Sequence, residues 1–246
     1  MERDRSILRI SGPDAEQFLQ GLITNDIDQL ENGLVYTALL SPQGKYIADF
    51  FLVRDGANIL LDANVDQASG LMARLGMYKL RASVEIETSP LHMHRGLGDI
   101  PTDAYADPRN PELGWRAYRS SPMAESGVDW DALRVMHTIP GSGIELTPDS
   151  YILEYGFERL NGVDFRKGCY VGQEITARMK HKTELRKGLA TVGIKGAADP
   201  GTAIVRNDKI VGTLFTQSGK QALAYLRFDR VGDGMHAGDA IITLSE

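Results

Sequence analysis

Residues 167–174 read KGCYVGQE, and Cys169 within them is the only cysteine of a 246-residue chain. One thiol excludes an intrachain disulfide, a C-x-x-C redox pair and a self-contained thiolate cage for zinc or an iron–sulfur cluster. Any role in cluster chemistry must therefore run through a partner. The neighbourhood favours a thiolate: Arg166 and Lys167 precede it, and Val171, Ile175 and Met179, spaced by four, predict a helix that starts just after Gly168–Cys169 and buries that face. Gly168 allows the backbone to approach a ligand closely. A lone cysteine is otherwise most often a small buried hydrophobe, so packing residue, ligand contact and nucleophile all stay open for Cys169.

Basic residues gather around the same stretch. Arg166, Lys167, Arg178, Lys180, Lys182, Arg186 and Lys187 stand against Glu174 and Glu184, a local +5 in a chain of net −6. An acidic chain does not coat nucleic acid, but a basic segment within it focuses a field on a polyanion. Tyr170 is the one aromatic residue of that stretch. A small ligand with several carboxylates or phosphates is thus favoured over stacked single-stranded RNA.

With 42% hydrophobic and 24% charged residues the chain has globular composition, and its apolar runs fall far short of the roughly 20 residues that cross a bilayer. No membrane partner is expected. The opening MERDRSILRI mixes charges and lacks the apolar core of a secretory signal, which points to a cytoplasmic protein.

Working outward, SGPDAEQFLQGLITNDI carries Ser11 and Asp14 in a capping-box pattern ahead of Ala15, Phe18, Leu19, Leu22 and Ile23, an amphipathic helix. Leu34 to Leu40 and Ile47 to Val53, joined across SPQG, predict a hairpin. Ile59 to Leu61 follows a turn, Val65 to Leu75 predicts a helix, and ASVEIE a strand. Residues 88 to 113 are Pro-rich and aperiodic, an exposed connection. WRAYR predicts a short strand and Trp130 to His137 a helix. From residue 188 short β-like runs separated by Gly and Asp predict a small β-barrel to the end. The fold class is α+β, with a body over 1–187 and a barrel over 188–246.

Other motifs carry less. His92 and His94 share one side of a strand but lack a third ligand at motif spacing, so no metal site is assigned. SGKQA fails the P-loop spacing, and neither G-x-G-x-x-G nor G-x-S-x-G occurs.

KGCYVGQE followed by ARM, together with FLQGLITNDI and SPQGKYIADF near the start and GTAIVRNDKIVGTLF with ALAYLRFD near the end, resembles the YgfZ-type folate-binding family. That family is related to the aminomethyltransferase, or T-protein, of the glycine cleavage system. The resemblance covers essentially the whole chain. It implies an aminomethyltransferase-like body with a central channel, a small C-terminal β-barrel, and tetrahydrofolate or a one-carbon derivative as ligand. It also implies a role in assembly or repair of iron–sulfur proteins, some of them tRNA-modifying.

Residue by residue, Lys167, Gly168, Cys169, Tyr170, Gly172, Gln173 and Glu174 match the family signature and Arg178 the arginine after it. Asp49 falls on the strand where aminomethyltransferases carry an acidic pair, with Ala48 in the preceding place. Asn64 falls near their pterin-binding asparagine, and Glu154 matches an acid that precedes the signature. Met136 stands where relatives commonly carry a glutamate. The implied roles are Asp49, Asn64 and Glu154 as pterin anchors and Lys167 with Arg178 as attractors of the anionic, polyglutamylated tail. Tyr170, Gln173 and Glu174 share the ligand site, and Cys169 meets a one-carbon unit, a partner's sulfur or an iron. Whether the chain turns anything over stays open. A true aminomethyltransferase would use Asp49 to help proton transfer, and a direct tRNA binder would use Lys180 and Lys182.

Overall fold

The computed structural model describes residues 5–124, 126–181 and 185–244. The chain divides into two compact units, Met1–Gly127 with Phe157–Ala177, and Val128–Gly156 with Arg178–Glu246. Relative to the division expected at residues 187 and 188, the second unit also takes in 128–156 and 178–187.

The first unit opens with strand β1 (Arg5–Ser11), helix α1 (Ala15–Gln20), β2 (Val35–Leu40), β3 (Tyr46–Asp55), β4 (Asn58–Asn64), α2 (Val65–Lys79) and β5 (Glu85–Thr88). The strands form an antiparallel sheet in the order β2-β3-β4-β1-β5. Its register sets Leu61 of β4 between Leu8 and Leu52. These residues join Ile10 and Phe50 in an apolar face that Ala15 and Leu19 of α1 and Leu71 and Leu75 of α2 close over. Alternation along the strands sends Tyr36, Asp49, Phe51 and Asp62 to the opposite face.

Two expectations change here. Ser11 does not cap α1; it ends β1, a strand not read from the mixed-charge N-terminus. Gly12 turns the chain at φ +107°, where a Cβ would lie 2.1 Å from the Ser83 carbonyl oxygen. Asp14 is the N-cap, and its carboxylate accepts from the Ser83 amide at 2.8 Å. The stretch 88–113 is not a bare connection either. It forms β6 (His92–Gly96) and β7 (Ala104–Ala106), which flank β8 (Trp115–Arg119) in a three-stranded sheet of order β6-β8-β7.

Charge pairing explains why a polar segment is buried. Arg109 and Arg116 both donate to Asp107 at 2.9–3.0 Å, and Arg116 and Arg5 reach the fully buried Asp62 at 3.3 and 2.5 Å. Tyr118 donates to the same Asp62 at 3.1 Å. The guanidinium carbons of Arg116, Arg109 and Arg5 lie 3.9, 4.9 and 5.7 Å from the centre of the Phe51 ring. Buried charges survive when paired and hydrogen-bonded in this way.

The second unit contains α3 (Trp130–Met136) and the strands β9 (Lys187–Lys195), β10 (Ala203–Arg206), β11 (Lys209–Ser218), β12 (Gln221–Arg227), β13 (Met235–Ala237) and β14 (Ala240–Leu244); α4 (Gln173–His181) precedes β9 and spans the division between the units. The strands close into a barrel in the order β10-β11-β12-β9-β14-β13. Val192, Ile204, Leu214, Ala224, Leu226 and Ile242 fill it. Glu145, fully buried, ties 128–156 to it: its carboxylate accepts from Arg134 of α3 at 2.6 Å, the Gly141 amide at 2.7 Å and the Thr216 hydroxyl of β11 at 2.5 Å.

Candidate functional site

The signature loop is held on two sides. The segment before it runs along the turn that follows α1: the Thr24 hydroxyl donates to the Gly162 carbonyl at 2.7 Å, the Asn25 amide to the Asn161 carbonyl at 2.7 Å, and the Asp164 backbone N–H to the Thr24 carbonyl at 3.0 Å. Lys167 completes this lacing. Its amine donates to the carbonyls of Gln20, Ile23 and Asn25 at 2.8, 2.6 and 2.9 Å, and lies 5.1 Å from the centre of the Tyr170 ring. On the far side Gly172, at φ +85°, rests on the SPQG turn, where a Cβ would meet the Ser41 carbonyl oxygen at 2.6 Å. The stretches that carry the resemblance near the start thus lie against the signature itself.

Between these anchors Gly168 and Cys169 are exposed, while Lys167 and Tyr170 are 6% and 8% exposed. The helix expected right behind the cysteine starts four residues later, at Gln173. The buried residue of α4 is Thr176, and Val171, Ile175 and Met179 are half-buried. Gly172 at positive φ, followed by the Gln173 amide bonding back to the Tyr170 carbonyl, explains the later start.

Asp49 sits on the polar face of the sheet, 4% exposed, and accepts from Tyr36 at 3.0 Å and Tyr46 at 2.6 Å. Ala38 faces Asp49 across the hairpin, so Tyr36 is its same-face diagonal neighbour. The register slips by one between Leu39 and Leu40, and this bulge turns Tyr46 to the same face. Burial, then the Asp49 carboxylate, push the Tyr36 phenol well above its ordinary value. Tyr46 in turn meets Gln67 of α2 at 3.1–3.2 Å, and Asn64 caps that helix, its side chain accepting from the Asp66 amide at 2.9 Å. Asp49 and Asn64 are therefore joined through Tyr46 and the first turn of α2.

Glu154, in the second unit, accepts from Tyr225 at 2.7 Å, and Tyr155 beside it stacks on the Tyr225 ring at 5.3 Å. Glu174 and Arg178 are exposed on α4, Gln173 is half-buried at its start, and Met136 is 57% exposed at the end of α3. His94 contacts the Ser121 carbonyl at 2.7 Å through Nε2. Lys182 and Glu184 lie outside the described residues. A cleft of about 640 Å³ is lined by Asn25, Tyr36, Asn161, Asp164, Phe165 and Arg166, of which sequence reasoning singled out Arg166 alone, for its charge.

A folate asks for two chemistries: acceptors and donors for the pterin, and a cation for the glutamate tail. The Asp49–Tyr36–Tyr46–Gln67 cluster, joined to Asn64 through the first turn of α2, gathers donors and acceptors of the first kind. Of the cations expected at the tail, the Lys167 amine is turned inward onto three carbonyls and Arg178 is exposed. No helix among the described residues is long and apolar enough to cross a membrane.

Residues 186–246 match the family model for the CAF17 C-terminal β-barrel domain. The glycine cleavage system aminomethyltransferase T of Bartonella henselae superposes with a TM-score of 0.77 over 98% of this chain and 83% of that one at 15% identity, which establishes an aminomethyltransferase-like fold. The chain is 30% identical to the mitochondrial iron–sulfur cluster assembly factor IBA57 of Mus musculus, over 94% of its own length and 78% of that protein's. It is 28% identical to the mitochondrial IBA57 homologue of Mycosarcoma maydis, over 82% of its own length and 59% of the relative's. The chain thus spans little more than half of this fungal relative. The cytoplasmic location expected from the N-terminal residues is corrected by these relatives, which are mitochondrial proteins; the charge pattern of ten residues does not define a compartment. With 30% identity to a relative most of whose length it covers, this chain belongs to the YgfZ-like IBA57 family of iron–sulfur cluster assembly factors.

Proposed function

We propose that the chain supports assembly or repair of iron–sulfur proteins by presenting Cys169 to a partner, and that its body holds tetrahydrofolate or a one-carbon derivative. The observation that carries this reading is the loop: the lone thiol is exposed, yet the residues on either side of it are tied into the body by Lys167, Tyr170 and Gly172. A packing cysteine would not be set outward between such anchors. One thiolate cannot complete a cluster, so the partner supplies the remaining ligands. Folate is supported by the aminomethyltransferase-like fold and by the Asp49 cluster, in which Asp49 and Asn64 would take the pterin's hydrogen bonds. Enzymes that modify tRNA belong among the proposed clients.

The test is Cys169→Ala. Activity of cluster-dependent client enzymes falls to the level of a strain lacking the protein, while thermal stability and tetrahydrofolate affinity stay those of the wild type. Full client activity in this variant would reduce Cys169 to a surface residue. Turnover of an aminomethylated lipoyl carrier that is abolished by Asp49→Asn would instead make the chain a transferase.

A further inference from the structure

The geometry points to Lys167 as the positioning residue of the Cys169 loop: its caged amine fixes the loop from below so that the thiol is offered in one presentation. The importance of that presentation rests on the assembly reading above; the cage itself does not.

The cage has the form of a cation site built of main chain. Helix α1 ends at Gln20 with no basic residue in its last turn, and the last carbonyls of a helix lack intrahelical donors. Lys167, 147 residues along the chain from Gln20, brings an ammonium to that end. An ammonium carries three N–H donors, and three carbonyls, of Gln20, Ile23 and Asn25, receive them at 2.6–2.9 Å. The Tyr170 ring faces the amine at 5.1 Å, an arrangement that attracts a cation to the ring face. Asp26 and Asp164 are the charged groups that act on the amine from the two segments it joins. Gly168 and Cys169 stand between Lys167 and Tyr170, so the two residues that contact the loop's exposed apex are the two that meet in the cage. A cation held this way orders its surroundings as a bound metal would, without requiring one.

The single cysteine makes the test direct. A nitroxide attached to Cys169 in the full chain reports the motion of the loop by its line shape. In Lys167→Met, which keeps an unbranched stem and removes the donors, the label's correlation time shortens by about threefold. In Lys167→Ala, propylammonium restores the wild-type line shape at neutral pH, whereas tetramethylammonium, which has no N–H, does not. A line shape identical in wild type and Lys167→Met, or restoration by both cations alike, overturns the proposal. The unaltered protein gives a check that needs no variant: the Lys167 ammonium protons exchange slowly enough to be seen by ¹⁵N NMR at neutral pH. Exchange as fast as that of surface lysines overturns the cage. None of these readouts involves a cluster, so loss of the assembly reading through a fully active Cys169→Ala is seen separately.

Discussion

Gly44 and Gly172 back onto each other at φ +71° and +85°, so closely that a Cβ on Gly172 would lie 3.2 Å from the Gly44 Cα and 2.6 Å from the Ser41 carbonyl oxygen. The obstruction is backbone and cannot rotate away. Gly172→Ala adds a left-handed penalty of about 1–2 kcal/mol to that collision. The variant unfolds at lower urea, with a loss of roughly 2–4 kcal/mol. A midpoint within error of the wild type would show that the loop does not rest on the SPQG turn.

Glu145 is the second place where one residue carries several contacts. It is fully buried and joins Arg134, the Gly141 amide and Thr216. Removing one partner of a buried pair costs about 3–5 kcal/mol when the other charge is left uncompensated; Arg134 keeps Asp131 at 2.8 Å, a half-exposed partner, which places the loss at about 3 kcal/mol, the lower end. Glu145→Ala is therefore expected to destabilise the second unit by that order in chemical denaturation, and the double variant Glu145→Ala, Arg134→Met to recover part of the loss. Equal stability of Glu145→Ala and wild type would mean that 128–156 is not tied to the barrel through this carboxylate.

The barrel, both hairpin strands flanking SPQG and helix α2 were legible because periodicity and turn residues agree there with burial. β1 was not, since its N-terminal charges hide a strand whose Arg5 is consumed by Asp62. β7 was hidden for the same reason, and β6 was legible only as the strand that carries His92 and His94 inside a stretch read as an exposed connection: Arg95, Asp107 and Arg109 are buried, and polarity alone reads as exposure. At the candidate site, motif matching singled out Asp49 and Lys167 but not their surroundings. Tyr36 could have been found from the hairpin register; Tyr46 depends on a bulge that no residue pattern announces. The carbonyls that occupy Lys167 have no side-chain signature, and so its charge was read as outward-facing.

Burial pulls the Lys167 amine from 10.5 down to about 8, against Asp26 and Asp164, which pull it up. Between those two values the unfolded chain holds a proton that the folded chain has released, so unfolding free energy rises with pH through this group. Below pH 8 both states are protonated and its contribution is flat. Urea titrations from pH 7 to pH 10 should show the stability of wild type rising relative to Lys167→Met only in the upper part of that range. A fall instead would mean that the three carbonyls outweigh desolvation and hold the amine above its ordinary value.

Tail recognition by folate separates Lys167 from the exposed basic residues. If the body binds tetrahydrofolate, affinity for the polyglutamylated form exceeds that for the monoglutamate through cations that reach solvent. Lys167 is 6% exposed with its amine spent on carbonyls, whereas Arg178 is exposed at the last turn of α4. Anaerobic calorimetry on both folate forms should therefore give Lys167→Met the wild-type ratio of affinities, even if both affinities fall with the loop's order. Arg178→Ala should shrink the ratio by roughly fivefold, the loss of one charge-assisted contact worth about 1 kcal/mol. A ratio that collapses in Lys167→Met and survives in Arg178→Ala would return the lysine to the tail and remove the basis for reading it as the support beneath Cys169.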